Sequence, residues 1–89
     1  MSVAKRLIAS GLVHNGRCNL YAITINKDDA GDSIYMLKDG LDATGAILWE
    51  CWATVAGCFI KNFIPQLLFE TGLYLDITGK AYSVILEVV

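Results

Sequence analysis

The chain is short of most of what a catalytic site is built from. Its 89 residues include one histidine, His14, and no Gly-x-Ser-x-Gly elbow, so a Ser-His triad has little support. The three cysteines, Cys18, Cys51 and Cys58, are an odd set without a Cys-x-x-Cys pair, which argues against a zinc site and for buried free thiols. Charged residues are only 18% of the chain, and the seven cations are scattered. No cluster of them can neutralise a row of phosphates, which disfavours nucleic acid as a partner. No signal peptide is expected, because the polar Ser10 follows the short Leu7-Ile8-Ala9 run. The longest apolar stretch, Cys58 to Phe69, is interrupted by Lys61, Asn62, Pro65 and Gln66 and is too short for a membrane-spanning helix. A soluble chain that stays or assembles in the cytosol is expected.

The residues that remain as candidates for chemistry have plainer readings. Cys18 and His14 flank an expected surface turn, where nothing lowers the thiol pKa or excludes water. Asp28, Asp29 and Asp32 share one loop and Asp39 and Asp42 another, but neither has EF-hand spacing or a closing Glu. Asp also populates turns by bonding to its own local backbone, which is the reading preferred here. Asp39-Gly40 and Thr44-Gly45 lack the Lys-Ser/Thr ending and the helix of a phosphate loop. The expectation is a non-enzyme with no cofactor and no metal.

What the chain does have is strand material. Short runs rich in Ile, Val, Leu, Tyr and Trp alternate with eight glycines, and no window carries a long stripe at helical spacing. A first strand is expected over Lys5 to Val13, then an Asn15-Gly16 hairpin turn and a second strand from Cys18 to Asn26. After a solvated loop, Lys27 to Asp32, strands follow at Ser33 to Lys38, Ala46 to Ala53, Cys58 to Phe63 and Leu67 to Glu70. Leu73, Leu75 and Ile77 alternate with Tyr74, Asp76 and Thr78, and a last strand runs from Ala81 to Val89. About eight short strands in one domain (1–89) predict an all-β fold, a compact antiparallel β-sandwich or jelly roll. If the strands around Cys51 and Cys58 form a hairpin, the two thiols can sit opposite each other and a disulfide becomes possible under oxidising conditions.

Hydrophobic residues make up 55% of the chain, more than one small core can hide. The surplus predicts an oligomer or an assembly component. Trp49 and Trp52 fall on opposite faces of one strand and cannot both fill the core, so one is expected to meet a neighbour. Trp49, Trp52, Phe59, Phe63 and Tyr74 are the candidate core or contact anchors. A carbohydrate- or ligand-binding β module, with aromatics lining its face, is the alternative reading.

Several segments in sequence order carry a resemblance. Ala9-Ser10-Gly11 leads to Asn15-Gly16 and Cys18-Asn19-Leu20-Tyr21, then Asp39-Gly40 and Thr44-Gly45-Ala46-Ile47-Leu48-Trp49. Leu68-Phe69-Glu70-Thr71-Gly72-Leu73-Tyr74-Leu75 and a closing strand complete it. Over nearly its whole length the chain resembles small β-sandwich virion structural proteins of tailed bacteriophages and prophages, which decorate heads or join head and tail parts. The resemblance implies a capsid-decoration or head-tail accessory role and no catalytic residue. It also implies a homo-oligomer, a trimer favoured, with major capsid or tail proteins as further partners and the virion, assembled in host cytoplasm, as its place.

Overall fold

Runs of β-branched and aromatic residues bounded by Gly, Asn and Asp fold as strands here, because such side chains fit a pleated, half-buried surface. In the computed structural model, which describes residues 3–27, 31–79 and 83–89, there are eight: β1 (Val3–Leu7), β2 (Gly11–Asn15), β3 (Cys18–Lys27), β4 (Ser33–Asp39), β5 (Ala46–Ala53), β6 (Gly57–Phe69), β7 (Gly72–Thr78) and β8 (Ser83–Val88). They form two antiparallel four-stranded sheets, ordered β1-β8-β3-β6 and β2-β7-β4-β5. Strand β1 pairs with β8, β2 with β7, β3 with β6 and β4 with β5, each pair nested inside the one before. That nesting is a long two-stranded ribbon rolled into two sheets, the jelly-roll form of the sandwich.

The expected first strand, Lys5 to Val13, is two strands in different sheets. Ser10 marks the corner: its hydroxyl accepts from the Ile77 amide (2.8 Å) and lies 3.3 Å from the Ile77 carbonyl. Asn15-Gly16 is a turn, with Gly16 at φ +102°, but β2 and β3 do not pair across it. The chain crosses there from one sheet to the other. Lys27, expected in a solvated loop, is instead buried at the end of β3, opposite Gly57. The expected strands at 58–63 and 67–70 are one 13-residue strand, β6, irregular beside Tyr21. Asp28 and Asp29 of the expected acidic loop lie outside the described residues, as do Lys80, Ala81 and Tyr82.

The core lies between the inner faces. Leu73 and Leu75 of β7 and Val84, Leu86 and Val88 of β8 are buried in simple alternation, as strands with one covered face require. In β3 the alternation breaks: Leu20 is buried, and so are Ile23 and Ile25. The register shift between Leu20 and Ala22 moves the inward parity by one residue. Tyr35, Leu37 and Phe69 complete the fully buried centre. Each such side chain stabilises the fold by about 1.5–3 kcal/mol.

At one end of the sandwich three turns are tied together. The Asp39 carboxylate accepts from the backbone amides of Glu70 (3.2 Å), Thr71 (2.9 Å) and Gly72 (3.4 Å). Gly40 N donates to Gly72 O and Gly16 N to Thr71 O, both at 3.0 Å. The amide donors, Thr71 first, hold the Asp39 carboxyl below the usual carboxylate range. A depressed folded-state pKa stabilises the fold fully above the unfolded value, about 3.9, and that contribution is lost as pH falls through the folded value. Asp39→Ala removes these hydrogen bonds to a largely solvent-exposed carboxylate and, discounted for solvent screening, is expected to cost about 0.5–1 kcal/mol near pH 7. Urea midpoints should show the gap from wild type closing in acid; a gap independent of pH would contradict the latch.

Candidate interaction surface

Strands β5 and β6 are consecutive in sequence and each ends its own sheet, so they face one another along one side of the sandwich. Glu50 and Lys61 are the only charged residues from Ala46 to Phe69, a segment holding five of the nine aromatic residues. Among the described residues, seven of the twelve exposed large hydrophobics lie between Ile47 and Leu68. Charge depletion with aromatic enrichment marks the centre of protein interfaces, and solvent-facing apolar patches on small domains mark contact sites.

Register sorts the expected anchors. Trp49 lies opposite the fully buried Leu37, is half-buried, and meets Phe63 edge-on, ring centroids 5.7 Å apart at 86°. Phe59 and Phe63 also pack, partly buried, against the core. Trp52 lies opposite Ile34 on the outer face and is 69% exposed. Tyr74 is half-buried on the outer face of the same sheet, between Leu12 and Lys38 and away from the β5–β6 side. Beside it the Lys38 ammonium bonds to the Asp76 carboxylate (2.7 Å) and the Ala43 carbonyl (2.8 Å), which pins the loop after β4 to that face. Ile60, 66% exposed, and Ile64, 92% exposed, belong to the surface and were missed as anchors. The charge gap from Ala46 to Phe69 is the signal in the sequence that points to them.

The two sheets part slightly between β5 and β6. A cleft of about 110 Å³ opens there, lined by Ile23, Ile25, Trp49, Cys51, Phe59, Ile60 and Lys61. Lys61 lies opposite Ile23, a register position that points inward, yet it stands exposed at the edge with its ammonium 5.9 Å from the Phe63 ring centroid. On the other edge of the same sheet Lys5 is placed likewise, opposite Leu86. Inward-pointing charges on edge strands discourage another strand from adding on. Addition of a further strand along β6 is thereby disfavoured.

Cys51 faces inward on β5 and Cys58 lies opposite Asn26 on β6, in different sheets, so the hairpin that would pair them does not form. All three cysteines are free. Burial pushes the Cys51 and Cys18 thiols up, and the Asp39 carboxylate adds to this at Cys18 against the pull of Lys5. Both thiols therefore stay protonated and behave as small apolar groups at neutral pH. Asp42, in the second candidate acidic loop, accepts from the Thr44 amide (2.9 Å) and hydroxyl (2.5 Å), a local turn closure. No group of three or more potential metal ligands occurs among the described residues. No protein-family model matches the chain, and neither a curated protein nor a solved structure matches it.

Proposed function

We propose that the protein is a non-catalytic assembly protein that works by associating with copies of itself through the β5–β6 side. The observation that carries this reading is the exposure of seven large hydrophobic residues between Ile47 and Leu68, along the edge strands of the two sheets, in a segment with only two charges. The jelly-roll strand order is compatible with it, since that architecture recurs in viral capsid domains as well as in lectins. Together with the sequence resemblance, these features favour a virion structural protein of a tailed bacteriophage, either a head-decoration or a head-tail accessory subunit. In that role many small, repeated contacts add up through avidity, and a modest interface per copy is enough.

Light scattering on a sizing column tests the reading. A trimer has three times the 9.7 kDa chain mass, about 29 kDa. A mass of 9.7 kDa at tens of micromolar, joined by binding on a glycan array, would replace it with a carbohydrate-binding module.

A further inference from the structure

Resting on that proposal, we infer that the cleft between β5 and β6 is a socket for the Ile64 side chain of a second copy. Three observations carry the assignment. The cleft is lined almost wholly by apolar groups, and its volume of about 110 Å³ is that of one aliphatic side chain rather than of an extended ligand. Ile64 is the most exposed large hydrophobic residue among those described, set where β6 leaves register with β3. It stands three to five residues along β6 from the lining residues Lys61, Ile60 and Phe59, on the order of 10–17 Å, too far to fill its own cleft. Knob and socket thus sit on one side of the molecule, and any second copy brings both.

Charge and area favour a copy of this chain as the occupant. The segment carries one anion, Glu50, and one cation, Lys61, so it is neutral while the whole chain has a formal charge of -2. Two such segments do not repel, and Glu50 of one can meet Lys61 of the next at the rim. A standard interface takes about 800 Å² from each partner, roughly a sixth of this chain's 4960 Å². One side of a sandwich can supply that area.

The test pairs a knob variant with a plugged socket. Ile64→Ser removes the knob without touching the core, and Cys51→Met fills the cleft from inside. Each is expected to raise the self-dissociation constant at least tenfold in sedimentation equilibrium, with the thermal midpoint held or, for Cys51→Met, raised. The double variant is expected to be no weaker than the worse single one, because both remove the same contact. Wild-type association in either folded single variant, or effects that add, would overturn the socket while leaving self-association standing. Should Cys51→Met perturb folding, Ile64→Ser combined with Phe59→Leu, which reshapes the socket wall, is read the same way. A wild-type chain monomeric throughout would remove the proposed function itself. Binding of a small apolar probe such as benzene, lost in Cys51→Met while association persists, would reassign the cleft to a small molecule.

Discussion

Phe69→Ala is expected to bring the subunit to the edge of unfolding. Phe69 is fully buried at the end of β6, opposite Cys18, one residue before the turn that Asp39 holds. Truncating a buried Phe costs about 3–5 kcal/mol, the transfer term plus the cavity that neighbours cannot close. A domain of this length has about 4–13 kcal/mol in total. Denaturant melts followed by circular dichroism should show the midpoint fall by about a quarter or more. A loss under about 1 kcal/mol would mean that the two sheets do not pack around this ring.

Trp52→Ala is the mirror case, with a small effect on the subunit and a large one on the assembly. The side chain is exposed, so its removal should change unfolding by no more than about 0.5 kcal/mol. A tryptophan at the centre of an interface is worth about 2 kcal/mol or more, so self-association should weaken roughly thirtyfold. Sedimentation of the variant against wild type reads the second number and a thermal melt the first. A variant that loses stability but associates normally would place Trp52 in the fold and move the interface elsewhere.

The contrast between these residues shows what the sequence could carry. The alternation in β7 and the last strand was legible because one covered face imposes period two, and Leu73, Leu75, Val84 and Leu86 obey it. Eight strands were expected and eight occur, but one expected strand is two and two expected strands are one. Both differences arise where pairing is non-local. Ser10 turns the chain by bonding to Ile77, 67 positions away, and β6 runs on past Pro65 because β3 lies along its length. Asn15-Gly16 announces a turn through its backbone freedom, and nothing local says whether the strands on either side share a sheet.

Bulges limited the reading of the candidate surface in the same way. Leu37 of β4 faces Trp49 and Lys38 faces Ile47, so β5 carries one extra residue and simple alternation does not place Ile47 on the face of Trp49. Sorting Trp49 from Trp52 needed only the alternation and one known inward partner. In β6 the apolar run gives no alternation to read, which is why Ile60 and Ile64 were not singled out as anchors. The scarcity of charge from Ala46 to Phe69 was visible throughout. It points to the proposed contact side more directly than any single aromatic does.

Hydroxyl-radical footprinting at two protein concentrations tests the central claim most directly, because it reads side-chain exposure residue by residue. Ile8, 64% exposed at the opposite edge of the sandwich, serves as the internal control for Trp52, Ile60 and Ile64. Covering of the β5–β6 side predicts that oxidation of those three falls several-fold at the higher concentration while Ile8 keeps its rate. Equal rates at both concentrations, with all four residues reacting as their exposure in the lone subunit dictates, would contradict it.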